Sequence, residues 1–556
     1  MLGSIAPTVD GDDYTRRDLI FPKLTQEMVG RSMPYGTVEN HAAGTTIYSR
    51  GVRGVDFLIV LKGSVLIAAP GDDETEIIVT VHDEREFTGE LDLFNLREAL
   101  VTARAATAAV VLRIGRARFR EYVASEPDIG AIIMRAVILR RAGLIQRIQA
   151  GVTVLGSERN ADTLRLEQFL SRNGYPYRLV DVDNDPQGNE LLQSFSISPS
   201  EMPVVLSGEE VFRNPSVSEL ADALGISEEL NPATVFDVAV VGAGPAGLAA
   251  GVYAASEGLS TIVIEGNAPG GQAGTSSRIE NYLGFPSGIS GLDLASRAQT
   301  QAQKFGAKLA ISRQVSGVDC TSDQFRLTLE GGSTLMARSV VIASGARYRK
   351  LEVSNYSKFE MDGIHYSATA IEARLCTTEE VVVVGGGNSA GQAAVFLSAY
   401  ANHVHILIRG PELAATMSEY LASRITLSKH ITLHTNTKIV ALDGRQHLEQ
   451  VTWVNRLTGE STTKPIGNVF VMIGADPCTE WLGNCVRRDA KGFVVTGFSE
   501  AGEMAGIYRT SRPGIFAVGD VRSGSVKRVA SSVGEGSAVI ADIHRYLAQA
   551  TRVQVA

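Results

Sequence analysis

The sequence predicts a multidomain α/β protein, and three observations carry that prediction. At 556 residues the chain is longer than one hydrophobic core organises, since domains run to roughly 150 residues each. Residues 1 to about 125 read as short strands punctuated by glycine. Further along, two apolar strands run directly into glycine-rich turns that open helices, the pattern of Rossmann-like dinucleotide-binding domains. Composition agrees: 44% hydrophobic and 20% charged residues with 56 glycines describe a globular protein with a heavy demand for tight turns.

The same numbers exclude several classes. Lys and Arg total 52 against 61 Asp and Glu, a net charge of -9, and no basic tract follows a phosphate backbone, so nucleic acid is not an expected partner. No apolar run of about 18 residues occurs and the N-terminus lacks a basic region followed by an apolar one, so a membrane span is not expected and the location is expected to be cytoplasmic. The four cysteines, Cys320, Cys376, Cys478 and Cys485, form neither a CxxC pair nor zinc-ligand spacing, and no disulfide framework or metal site is expected.

Taken in order, the run from Val55 to Ile67 holds two apolar stretches separated by a turn at Lys62-Gly63. From Glu126 to Gln149 the spacing becomes helical, through Ile129, Ile132, Ile133, Ala136, Ile138 and Leu139. Residues 151 to 229 then alternate: strands at Val152–Leu155, Arg178–Val182 and Pro203–Leu206, and a helix at Thr163–Asn173. Asn231-Pro232 marks a boundary, because the residue before proline is driven out of helical geometry.

Asp237 to Val241 is a buried-type strand that enters Gly242-Ala243-Gly244-Pro245-Ala246-Gly247 and then a helix to Ser256. The first glycine makes the turn, the second admits a pyrophosphate, and the third lets helix pack on strand. The following strand, Ser260 to Ile264, ends in Glu265-Gly266, where a carboxylate accepts both ribose hydroxyls. A second copy runs from Val381 to Val384 into Gly385-Gly386-Gly387-Asn388-Ser389 and a helix to Tyr400. Its next strand ends in Arg409 where the first copy has Glu265, and a guanidinium there suits a 2′-phosphate, so NADPH is expected ahead of NADH. Near the C-terminus, Gly514 to Asp520 is a strand whose Gly519-Asp520 end can contact a ribityl chain, and Arg528-Val529-Ala530 opens a helix suited to the pyrimidine end of a flavin.

With these motifs, and with Gly270-Gly271-Gln272, Glu280-Asn281-Tyr282, Ala343-Ser344-Gly345 and Ile473 to Pro477, residues 235 to 548 resemble the low-molecular-weight thioredoxin reductase family. The resemblance implies an FAD domain split around an inserted NADPH domain, hydride transfer from NADPH to FAD and onward to an external acceptor, a homodimer, and rotation of one domain against the other. By it, Glu265, Gly271, Gln272, Asn281, Ala343, Gly345 and Asp520 are expected at FAD, and Gly387, Asn388 and Arg409 at the nicotinamide cofactor. No side chain is expected to act as a catalytic acid or base. One departure stands out: where the family carries a CxxC before the second motif, this chain reads Ser367-Ala368-Thr369-Ala370, which cannot cycle between thiol and disulfide. Cys376 is expected to be a packed core thiol. The acceptor is left open between a small redox protein, with ferredoxin or flavodoxin reduction as one alternative, and a small molecule, with oxidase activity as another. A flavin-dependent sensor or scaffold is the non-enzymatic alternative.

The N-terminal module resembles cyclic-nucleotide-binding domains, a β-roll, through Asp56 to Val65, Gly89-Glu90-Leu91 and Arg104 to Thr107. Where that family has its phosphate-binding arginine this chain has Leu100, with Arg97 and Arg104 on either side, and a shifted Arg97 is the residue that would restore the site. The middle module resembles thioredoxin and glutaredoxin folds, with Met202-Pro203 at the place of their cis-proline but Gly156 to Asn160 without sulfur at the place of their dithiol. The expected division is 1–149, 150–230, 231–350 with 477–556 for FAD, and 351–476 for NADPH.

Overall fold

A computed structural model describes residues 17–70, 76–89, 97–147, 151–158, 160–185, 192, 197–207, 210–228, 230–276, 278–321, 324–360, 363–413, 417–445, 447–498 and 506–555. Glu90 and Leu91, part of the sequence-level nucleotide signature, lie outside them.

The N-terminal strands form two four-stranded antiparallel sheets that share a core. Gly63, at φ 79°, makes the turn after Phe57–Lys62, and the chain passes there from one sheet to the other. The helix Pro127–Arg147 follows and buries Ile129, Ile133 and Ala136 against Phe57 and Phe119. A second sheet system begins at Val152–Gly156, flanked by Tyr177–Asp181 in parallel and by Val204–Ser207 antiparallel, with Glu210–Arg213 at the edge. The Met202-Pro203 bond is cis. The helix Ala161–Arg172, capped by Asn160, lays Leu166, Phe169 and Leu170 on this sheet.

The largest sheet has seven strands. Val235–Val241 lies between Thr261–Glu265 and Thr334–Ile342, all parallel, and Ile515–Ala517 joins beside Thr334–Ile342 from far along the chain. Every residue of Val238–Val241 is buried, Val238 and Val240 under helices and Ala239 and Val241 against Phe325, Leu327 and Trp481, which is why the strand reads as an unbroken apolar run. Between these two visits the chain builds a five-stranded parallel sheet in the order Ile364–His365, Asn468–Val471, Glu380–Val384, His403–Leu407, Ile431–His434, and a three-stranded antiparallel one. The two crossings between the sheets, Ala346–Tyr348 and Ala475–Pro477, pair antiparallel.

One expectation is corrected. Cys320 and Cys485 are joined as a disulfide, with Cα atoms 6.2 Å apart. They are separated by 165 residues, a pairing that tertiary structure creates and spacing does not encode. Cys376 is fully buried among Val381, Val383 and Ala394, and burial pushes its thiol up, as a packed core cysteine requires.

Candidate functional site: a shared dinucleotide cleft

The turn Gly242–Gly247 joins the central strand to the helix Pro245–Ser256, and each glycine has a local reason. Gly242 has φ 107° and sits where a Cβ would strike the Ala343 carbonyl. A Cβ on Gly247 would overlap Gly242 O, so the helix can approach the strand only without one. Gly244 is the N-cap and no side chain caps the helix, so the first-turn amides stay open to a ligand. Glu265 ends the neighbouring strand with one carboxylate oxygen accepting from Ala243 N (2.8 Å) and the other from Asn267 N (3.0 Å).

A cleft opens at these amides. Gly242, Gly244, Pro245, Ala246, Glu265, Gly271, Gln272 and Asn281 line it, with Ala343, Gly345, Gly519, Asp520, Arg528 and Val529 from later segments. Asn388 and Ser389 of the second motif open onto the same cleft. Gly247, Gly266, Gly385, Gly387, Ala530 and Arg409 are not among its lining residues. Gly247 and Gly385 act one layer behind: Gly385, at φ 141°, lets the second turn approach Met472 O. Gly387 caps the helix Asn388–Leu397 without a side-chain bond. Arg409 is exposed, just beyond the strand His403–Leu407, and Ala530 is exposed on its helix. Asn388 Oδ1 accepts from Ser418 N at 2.7 Å, which fixes the amide against its own domain.

Sequence reading missed several groups here. Glu535, buried, accepts the Gly519 N–H at 2.6 Å and pairs with Arg522 at 2.5 Å, holding the Gly519-Asp520 turn from behind. Burial pushes the Asp520 carboxyl up, and Lys527 opposes that shift. Tyr348 and Tyr366, from opposite sides of the crossing, stack with ring centres 5.8 Å apart and line the cleft. Burial raises the Tyr348 phenol and a bond to Thr275 opposes it. Ser367 and Ala368 also line the cleft, and Ala368 pairs with Ser276 through a parallel backbone bridge. Glu372 is buried and accepts from Thr369 N at 2.8 Å and from Ser367 Oγ at 3.3 Å, so this segment is tied down by its own helix. Ser367 and Ala368 belong to the segment already singled out in the sequence, whereas nothing in the motifs marks Glu535, Tyr348, Tyr366 or Glu372, because each arrives from a different part of the chain.

In the N-terminal module Arg104 donates from both Nη atoms to the two carboxylate oxygens of Glu76, a bidentate ion pair. Arg97 is buried and donates to Asn173 O at 2.8 Å, so the guanidinium considered for a phosphate faces the middle module instead. No group of His, Cys, Asp or Glu suited to a metal ion occurs among the described residues, and no helix there is long and apolar enough to cross a membrane.

The donor set fits two dinucleotides: two helix N-termini with open amides, each behind a glycine turn, meet at one cleft. Residues 236–536 match the family model described as pyridine nucleotide-disulphide oxidoreductase, and the chain belongs to that family. Residues 38–126 match the cyclic nucleotide-binding domain. It is an NAD(P)H-dependent flavin oxidoreductase of the thioredoxin reductase type, using FAD and NADPH. Among its relatives, the thioredoxin reductase of Listeria innocua is 32% identical over 315 residues, covering 56% of this chain and 94% of that one. That of Mycolicibacterium smegmatis is 34% identical over 316 residues, covering 57% and 98%. The crystal structure of Lactococcus lactis thioredoxin reductase superposes with a TM-score of 0.52 at 28% identity, covering 56% of this chain and 99% of that one.

Proposed function

We propose that residues 231–350 with 477–556 form the FAD unit, that residues 351–476 form the NADPH unit, and that an acceptor binding from outside would take the electrons that bound FAD supplies. When bound, the two dinucleotides supply a hydride donor and a hydride acceptor. The chain's own residues bind and align them. Open amides at Gly244 and the helix's positive end hold a pyrophosphate, Glu265 accepts from ribose hydroxyls, and Asp520 meets the ribityl chain. Gln272 and Asn281 would line the flavin, with Arg528 and Val529 at its pyrimidine end. Gly387, Asn388 and Ser389 take the second pyrophosphate and Arg409 a 2′-phosphate.

The observation that carries the onward step is the bridge between Ser276 and Ala368, which sets the sulfur-free segment Ser367 to Ala370 against the flavin-side loop. That segment stands where the family's dithiol falls, and without a dithiol there the family's internal relay has no thiol pair at that place. A small redox protein, including ferredoxin or flavodoxin, or a small molecule then takes them directly. Anaerobic mixing with NADPH tests the first half: the oxidised flavin band bleaches rapidly, and NADH bleaches it more slowly. No bleaching with either nucleotide overturns the reading. The middle module serves as a thioredoxin-like fold without a dithiol, a reading supported by its sheet order and its cis Met202-Pro203 bond. A cytoplasmic homodimer follows from the resemblance to the relatives. A second reading, a flavin-state sensor, draws on the contact of Arg97 with Asn173, whose amide in turn donates to Asn267 O at 3.4 Å beside Glu265. High turnover on any acceptor removes its motive.

A further inference from the structure

The helix Ala161–Arg172 turns one face into its own core through Leu166, Phe169 and Leu170. The other face reaches outside the module. Arg172 Nη2 donates to Gly271 O at 3.1 Å and to Ala268 O at 3.4 Å. Gln168 Nε2 donates to Glu372 Oε1 at 2.9 Å, and Arg374 pairs with buried Glu167 at 3.0 Å. One helix therefore grips both the flavin-side loop and the segment that follows Ser367 to Ala370.

Arg172 holds a particular peptide. Gly270 and Gly271 lie at φ 102° and 53°, and Gly271 leans so closely on Gly244 that a Cβ would stand 3.1 Å from the Gly244 Cα. The Gly271 carbonyl faces Arg172, and a trans peptide places its N–H opposite its C=O. Fixing that carbonyl directs the Gln272 N–H away from Arg172, toward the cleft that Gly271 and Gln272 line. We propose that Arg172, supplied by the middle module, is a positioning residue of the flavin site that sets the Gly271–Gln272 peptide as a hydrogen-bond donor to the flavin. Both Arg172 bonds leave one terminal nitrogen, Nη2, which lies one bond farther from the backbone than a lysine ammonium would. Burial lowers the basicity of Arg172, with Glu265, Tyr348 and Glu372 opposing.

The inference rests on FAD occupying the cleft, which the wild-type flavin spectrum and FAD titration of the stripped protein test by themselves; a chain that takes up no FAD overturns both. Given uptake, R172A binds FAD at least tenfold more weakly and its flavin potential moves negative, because a donor to the reduced ring is lost. R172K, with one compact donor group, falls between wild type and R172A in both measurements. The double variant E167Q/Q168A cuts the same helix's contacts with Glu372 and Arg374, one turn before Arg172, and keeps wild-type affinity and potential. Wild-type affinity and potential in R172A overturn the proposal, as does an equal change in E167Q/Q168A, which would mark a general loosening of the module. Should R172A fail to fold, R172K decides: no change in either quantity overturns the proposal.

Discussion

Glu265 is fixed at both carboxylate oxygens by backbone N–H groups, so it reaches a ribose with its geometry already set. Hydrogen bonds to a charged group are worth about 1.5–3 kcal/mol, and a neutral apolar replacement loses those to the protein and those to the ligand together. E265A is expected to bind FAD at least tenfold more weakly, measured by titration of the stripped protein. Gly247 makes a steric prediction of a different kind. G247A has no room for its Cβ against Gly242 O, and overpacking of this sort costs about 1–3 kcal/mol, read as a lower melting temperature with FAD absent. Both residues were legible in the sequence, because strand, glycine turn and helix are contiguous there. Tyr348, Tyr366, Glu535 and Arg172 were not: each acts at the cleft from a remote position, and no local spacing records which chain segments meet.

At the scale of elements, helix contacts and sheet contacts respond to different perturbations. The helix Val529–Val555 crosses Pro245–Ser256 at Gly536, where a Cβ would overlap Ala246 O, so the C-terminal helix seats the first dinucleotide helix by direct backbone approach. The second parallel sheet is joined to the three-stranded sheet by a polar cluster: His405 bonds Glu380 at 2.9 Å and His434 at 3.0 Å, and Lys464 reaches Glu380 at 2.6 Å. Burial lowers both imidazoles, His434 to about 4, so they are neutral in the fold. The unfolded chain then takes up protons that the fold refuses, and stability falls as pH drops from the ordinary histidine value of 6.5 to about 4. Glu380 is held down to about 2 by Lys464 and His405, and its contribution is lost in turn between about 4.5 and 2. The melting temperature of the wild type should therefore decline through the first window, and H434N should flatten that decline. Element boundaries were largely legible, since Ala161–Arg172 and Tyr177–Asp181 fall within two residues of the helix and strand read from periodicity.

The whole molecule is a chain of modules that touch in sequence. Arg53 donates to Ala223 O, Arg97 to Asn173 O, and Arg313 pairs with Asp222 at 2.5 Å, so the middle module is held from both sides. Ligand linkage makes the arrangement measurable: FAD at a hundred times its dissociation constant stabilises the unit that binds it by about 2.7 kcal/mol. Melting should thus split on adding FAD, with the transition of the seven-stranded sheet rising and that of the N-terminal sheets rising with it only as far as these contacts couple them. Module order was legible from motif order, whereas the contacts between modules were not, since they join charged residues that read as solvated surface.

The seven-stranded sheet takes Ile515–Ala517 from beyond the stretch of chain that builds the five-stranded sheet. During synthesis the nested segment emerges whole and can settle while its host is still missing a strand and the long terminal helix. Flavin loading therefore belongs to the end of biogenesis. A nascent chain halted before Ile515 should carry a compact interior piece yet retain no yellow colour, and a late premature stop should be as damaging to cofactor capture as an early one.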